Sequence, residues 1–288
     1  MSNPRLRKQQ ISLGTLPASL RAPADPGWAE ALREKSPDLS AASPMARWQQ
    51  TLFALAILAL ALGFWSDADA TAMLTMALLT PAFLCVALIR AAALVDSLRT
   101  SAPPPTALPA NDDDLPVYSI LVPLYREAHM APALIAALDR LDWPAARRDI
   151  LIITEADDAD TREAFHAAIA NRPGMRILTV PAGMPRTKPR ALMYALPEAI
   201  GEFVVVYDAE DEPNSDQLQR AYHCFQTGGP RLGCLQAHLN IYNSQTSWIT
   251  RQFTLEYTAL FDAILPAVER LRLPIPLGGT SNHFRGIA

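Results

Sequence analysis

Two long apolar runs stand near the front of the chain, and a shorter rhythm of apolar strands and amphipathic helices replaces them further on. Trp48 to Trp65 holds no charged residue, and Thr71 to Ile89 holds none either. A helix rising about 1.5 Å per residue needs some 20 such residues to cross a hydrocarbon core of roughly 30 Å. The pattern therefore predicts a transmembrane hairpin over 47–99, with spans at about 48–65 and 71–90. From Val117 the period changes. VYSILVP (117–123), DILIIT (149–154), MRILTVP (175–181) and FVVVY (203–207) read as buried strands, and 131–141, 161–171 and 188–199 read as the helices between them. Strand and helix in alternation predict an α/β domain: a Rossmann-like, mostly parallel sheet with helices on both faces, following the hairpin.

The polar stretches set the boundaries. Residues 1–46, with Pro, Ser and scattered charges, predict a poorly ordered tail with a short helix around Trp28 to Lys35. Pro103, Pro104, Pro105 and Pro109, then Asn111 to Asp114, make a stiff linker over 100–115, so the α/β domain covers 116–288. Between the apolar runs lies Ser66 to Ala70, acidic and without Lys or Arg. Arg47 and Arg90 flank the hairpin on the other side, and Arg5, Arg7, Lys8, Arg21 and Arg33 lie in the tail. The positive-inside rule then places both termini and the domain in the cytoplasm of an integral membrane protein, expected in the bacterial inner membrane, with the bilayer as a partner. Trp48 and Trp65 bracket the first run as interface anchors would. A signal peptide is excluded by the late start and the missing cleavage site. A buried helical hairpin is the remaining alternative.

Charge and cysteine count narrow the chemistry. A formal net charge of -4, with no basic run interleaved with aromatics, excludes nucleic acid as the main partner. Cys85, Cys224 and Cys234 have no metal-type spacing and predict no disulfide framework. No G-x-S-x-G, GK[ST] or G-x-G-x-x-G is present, so hydrolase, P-loop and dinucleotide readings fail.

In a parallel α/β sheet, the strand ends Pro123 to Glu127, Glu155 to Asp160, Arg186 to Arg190 and Asp208 to Asp211 converge on one crevice. EFVVVYDAEDEP (202–213) is the most informative of them. In extended chain the side chains of Asp208 and Glu210 would point the same way, roughly 6.5 to 7 Å apart, and could address one hard cation. An acidic turn after a strand is the competing account. Further on, Gly278 and Gly279 permit close backbone approach, and Thr280, Ser281, Asn282 and His283 offer neutral groups that sugar hydroxyls accept. A simple Gly-Ser turn and a structural histidine explain the same residues. Trp248, Ile249, Phe253, Tyr257, Leu260, Phe261 and Ile264 recur at helical spacing, for a core or, preferably, a membrane interface.

Taken in order, these motifs resemble the inverting family-2 glycosyltransferases of the GT-A fold, in the membrane-embedded branch related to cellulose synthase. The resemblance covers about Val117 to Ala288. SILVPLYREA (119–128) is similar to the first strand and nucleoside loop, carrying over Pro123, Tyr125 and Glu127, with Arg126 where Asn is usual. ITEADDADT (153–161) is similar to the second strand's acidic corner, with Glu155 for the usual Asp and acids at Asp157, Asp158 and Asp160. PRTKPRALMYAL (185–196) resembles the donor-binding Lys motif at Lys188, and DAED (208–211) the D-x-D metal motif, with Glu210 for its second Asp. LPIPLGGTSNHFR (273–285) resembles the acceptor segment.

The resemblance implies a membrane-anchored transferase moving a sugar from a UDP-sugar to a growing polysaccharide or other glycan acceptor, with inversion. It implies a donor site at Pro123, Tyr125, Glu127, Glu155, Asp157, Lys188 and Asp208, and an acceptor site at Gly279, Thr280, Ser281, Asn282 and His283. Asp208, Glu210 and Asp211 would hold a divalent cation, Mg²⁺ or Mn²⁺. Further subunits of a polysaccharide synthesis and export complex are expected partners. The family's general base, in a T-E-D type motif, is expected beyond Ala288, so the chain is expected to be a fragment that binds donor without appreciable transfer. Single glycosylation of a lipid carrier, and a non-catalytic membrane component that binds nucleotide sugar, are the alternatives.

Overall fold

The computed structural model describes residues 34, 45–98 and 114–286. The expected tail and most of the proline-rich linker lie outside the described residues, apart from Glu34, which is helical and exposed, and the residues bordering each segment. The described residues form two compact units. One contains 114–238 and 276–286, and the other 45–98 and 239–275. Contacts thus group 239–275 with the apolar helices, although the sequence pattern assigned that segment to the domain beginning at 116.

In the second unit, α1 (Arg47–Ser66) and α2 (Ala68–Ser97) form the hairpin. Only Asp67 separates them, because its carboxylate accepts from the Ala70 amide at 2.9 Å and starts α2 at once. The expected loop of Ser66 to Ala70 is thereby mostly absorbed into helix. α2 also continues past Arg90 to Ser97, through Pro81, so that its 30 residues exceed a single crossing. No residue of α1 and only Ala93 of α2 is buried. The helices approach closely at Gly63, where a Cβ would fall 2.8 Å from Thr71 Oγ1. Later in the chain, Ser247 caps α7 (Trp248–Thr258), which runs through a π-helical stretch (Ala259–Ile264) into α8 (Leu265–Arg270). The apolar stripe predicted there divides: Phe261 is buried, whereas Trp248, Ile249 and Phe253 stay exposed. Arg270 of α8 pairs with Asp96 of α2.

The first unit is the expected α/β domain. Its strands are β1 (Tyr118–Leu124), β2 (Arg148–Glu155), β3 (Met175–Val180), β4 (Phe203–Val206), β5 (Cys234–Gln236) and β6 (Asn282–Arg285), in the order β3-β2-β1-β4-β6-β5. The first four are parallel. β6 runs antiparallel to both β4 and β5. The helices α3 (Ala131–Asp139), α4 (Ala159–Ile169), α5 (Lys188–Ala195) and α6 (Gln217–Thr227) complete it.

Strand periodicity divides the core. Ile120, Val122, Ile150, Ile152, Phe203 and Val205 pack with Leu134 and Leu138 of α3, Phe165 of α4, and Leu218 and Phe225 of α6. The alternate residues Leu121, Leu151, Ile153, Val204 and Val206 pack with Ala191 and Ala195 of α5 on the opposite face. Helices therefore cover both faces, as the sequence predicts. The strands β5 and β6 were not foreseen, since each is short and β6 falls inside the segment read as an acceptor loop.

Candidate active site

From β1 the chain passes to β2 on one side, and from β3 it crosses back to β4 on the other side of β1. The gap beyond the carboxyl ends of β1 and β4 is therefore a topological switch point, the usual ligand position in such sheets. A crevice lies there. Pro123, Leu124, Tyr125, Glu127, Glu155, Arg186, Thr187, Lys188, Ala191 and Asp208 line it. Of the expected donor-site residues only Asp157 is absent from this lining, and it reaches the rim through Arg186.

One short segment supplies a cation to each acidic corner. Arg186 pairs with Asp157 at 2.8 Å, Lys188 with Asp208, and Arg190 with Glu155 at 3.0 Å. Residues 186 and 188 lie at the entrance to α5 and 190 within its first turn, so Arg186 and Arg190 meet the end of β2 and Lys188 between them meets the end of β4. Lys188 Nζ also donates to the Gly279 carbonyl, and Arg186 Nη1 donates to the Tyr125 hydroxyl at 3.2 Å. The guanidinium groups of Arg126 and Arg186 lie 5.1 and 6.0 Å from the Tyr125 ring centroid. Arg126 has φ 60° and its amide donates to Asp158 Oδ2 at 2.5 Å, so Asp158 is a brace for the first loop. Burial alone would push the Asp158 carboxyl up, but the Arg126 amide and Thr161 outweigh it and hold it below the usual range.

The acidic turn differs from its extended prediction. β4 ends at Val206, and 208–211 is a turn closed by the Asp211 amide on the Asp208 carbonyl at 3.2 Å. Asp211, expected beside the metal, turns back to accept from the Asp208 amide at 2.7 Å and from the Thr280 hydroxyl. Burial pushes its carboxyl up, opposed by those two hydrogen bonds. Glu210 is exposed. Burial, then the negative charges of Glu210 and Asp208, push the Glu127 carboxyl up, which places the three groups in one field. Hard carboxylate oxygens suit Mg²⁺ or Mn²⁺. Among the described residues, no group of three or more His, Cys, Asp or Glu side chains is arranged to hold an ion alone.

The expected acceptor residues are mostly committed to the framework. Thr280 braces Asp211, the Ser281 amide donates to the Val206 carbonyl at 2.7 Å, and Asn282 Nδ2 donates to the Gly278 carbonyl at 2.6 Å. The structure does not bring His283 to the crevice. It sits in β6, 1% exposed, its Nδ1 2.6 Å from the Tyr118 hydroxyl, and burial lowers its pKa to about 3. Alternation along Asn282 to Arg285 does not reveal this, because β6 buries both Asn282 and His283 and leaves its one apolar residue, Phe284, exposed. Of the five, Gly279 is the exposed one, with open space beyond its Cα. Sequence reasoning brought the Arg186 to Arg190 stretch to the crevice but assigned a role within it to Lys188 alone; the roles of Arg186 and Arg190 were missed, although their spacing from Lys188 was the available signal.

The chain belongs to the glycosyltransferase-like family 2, whose model matches residues 116–280. It is 25% identical over 199 residues to a probable glucomannan 4-beta-mannosyltransferase of Arabidopsis thaliana, covering 62% of this chain and 34% of that protein. It is 28% identical over 141 residues to cellulose synthase 2 of Novacetimonas hansenii, covering 48% of this chain and 8% of that protein. The chain therefore spans about a third or less of these relatives. The mannosyltransferase PcManGT of Pyrobaculum calidifontis, solved with GDP-Man and Mn²⁺, superposes with a TM-score of 0.49 at 22% identity, over 71% of this chain and 55% of its own.

Proposed function

We propose that the chain binds a UDP-sugar and serves a membrane-anchored transfer of the sugar, with inversion, to a growing polysaccharide or other glycan acceptor. The observation that carries the reading is the crevice itself. At the switch point of a family-2 domain, one segment sets Arg186, Lys188 and Arg190 against the acidic ends of two strands, β2 and β4. Tyr125 and Glu155 bound the nucleoside side, and Lys188 brings a compact positive charge to the diphosphate. Asp208 and Glu210 would hold a divalent cation together with the donor's phosphate oxygens, and that ion would offset the charge of the departing diphosphate. The acceptor is assigned to the open edge at Gly279, whose carbonyl already meets Lys188 beside Asp208.

Calorimetry on the 288-residue chain in detergent tests this reading. UDP and UDP-sugars are expected to bind with Mn²⁺ present and to bind far more weakly in EDTA. Equal affinity in both conditions would remove the metal, and no binding to any nucleotide would remove the function. Donor binding without turnover in the full-length protein would favour a non-catalytic nucleotide-sugar component.

Membrane anchoring rests on α1 and α2, both long and apolar enough to cross a bilayer and essentially unburied within the protein. Exposed apolar surface of that extent needs an apolar surrounding. With Asp67 and Asp69 at the hairpin's tip and Arg47 and Arg90 towards its open end, the tip is assigned to the outside and the crevice to the cytoplasm. In a chain whose native cysteines are replaced, an impermeant maleimide should label a cysteine at Asp67 on intact cells, but not one at Ser2 or Asn111. Labelling at Asn111 would reverse the orientation.

A further inference from the structure

The three cation–carboxylate pairs of the crevice are not equivalent. In the pairs Arg186–Asp157 and Lys188–Asp208 every side chain retains between 29% and 41% of its exposure, so both can rearrange around a ligand. Arg190 and Glu155 retain 2% and 7%. Arg190 Nη1 lies 3.0 and 3.4 Å from the two Glu155 oxygens, while its Nη2 donates to the Pro181 carbonyl at 2.6 Å. The loop closes around this guanidinium at Gly183, where a Cβ would fall 2.5 Å from Nη2.

Replacing a buried ion pair by apolar side chains is often neutral or stabilising, so folding alone gives little reason for this one. Glu155 also ends β2 at the crevice wall, beside Tyr125 and Lys188. A carboxylate that the protein places there cannot swing away while Arg190 grips both of its oxygens. We infer that Arg190 is a positioning residue, which presents the Glu155 carboxylate to the nucleoside half of the donor as a fixed hydrogen-bond acceptor. The inference rests on the donor-binding reading above and adds a residue that makes no contact with the donor itself.

The charged groups facing Glu155 are Arg190 from α5, Asp157 from its own turn and Arg186 from the preceding loop; Glu127, Lys188 and Asp208 share the crevice. Burial pushes the Glu155 carboxyl up, and Arg190 is the largest influence opposing it. Without Arg190 the group would hold its proton to higher pH, and a protonated carboxyl is a poorer acceptor. Binding that needs the carboxylate would then recover only as pH rises.

The test measures UDP affinity at saturating Mn²⁺ across pH on the 288-residue chain. Arg190→Gln is expected to weaken UDP roughly 10- to 100-fold near neutral pH, with the deficit narrowing towards alkaline pH. Arg190→Lys should recover part of the loss, and Glu155→Gln should weaken UDP with no such pH dependence. Because Arg190→Gln leaves a buried carboxylate without its partner and can unfold the domain, Glu155→Gln/Arg190→Met is measured beside it. That pair of changes should keep a wild-type melting temperature and still bind UDP weakly. Wild-type affinity in Arg190→Gln at every pH, or restored affinity in the double variant, would overturn the inference. A wild-type chain that binds no nucleotide would overturn the functional reading and the inference together.

Discussion

Asp208→Asn is expected to abolish the difference between UDP binding in Mn²⁺ and in EDTA while leaving the domain folded. The Asp208 side chain is part-exposed and its position is set by backbone: its amide is capped by Asp211, and its carbonyl closes the turn. Asparagine keeps the shape and removes the charge. Loss of a ligand should weaken metal-supported binding by roughly 100-fold or more, since even indirect supports of a metal ligand are worth about 10- to 100-fold. Asp216→Asn is the matched control, because Asp216 pairs at the surface with Arg220 at 2.6 Å, four residues on. Surface changes of that kind stay within about 0.5 kcal/mol, so its UDP affinity should match wild type. If Asp208→Asn retains the Mn²⁺ response in titration calorimetry, the cation is held elsewhere.

Phe203→Ala is expected to cost the α/β domain about 3–5 kcal/mol, measured by chemical denaturation. Phe203 is fully buried at the start of β4. Its ring stacks on Phe225 at 4.9 Å and meets Tyr118 at 5.7 Å and Tyr222 at 5.8 Å. The Arg285 guanidinium lies 5.9 Å from its centroid. Truncation would leave a void where α6, β1 and β6 meet, and the rigid rings around it cannot collapse to fill it. The same strand leads to Asp208, so donor affinity should fall with the folded fraction. A cost below about 1 kcal/mol would show that this aromatic cluster does not anchor β4.

The architecture was legible where one physical rule dominated. Runs such as Ile150 to Ile153, apolar on both faces of the sheet, could only be central parallel strands, and parallel strands bring their carboxyl ends to one edge. That consequence alone placed Glu127, Glu155, Lys188 and Asp208 around a single crevice. Side-chain direction was not legible. The extended reading of Asp208 to Asp211 failed because Asp211 and Thr280, distant in sequence, bind each other and curl the turn. His283 looked like a ligand residue because its polar neighbours concealed a strand of four residues. Arg190 entered the sequence reading only as the end of the Arg186 to Arg190 stretch, and burial and the Pro181 carbonyl distinguish it.

The place of β6 in the sheet has a consequence for the order of assembly during synthesis. β1 to β4 are complete once the ribosome has passed Val206, yet the outer edge of β4 has no neighbour until Asn282 to Arg285 has been made. Until then β4 presents unpaired amides and carbonyls along an apolar segment, the kind of edge that recruits strands from other chains. Thr280 and the Gly279 carbonyl come from the same late stretch, so Asp211 and Lys188 also wait for their partners. A nascent chain stalled between these points would carry an adhesive sheet edge and an unformed site, so the closing strand is as much a guard against aggregation as a structural element.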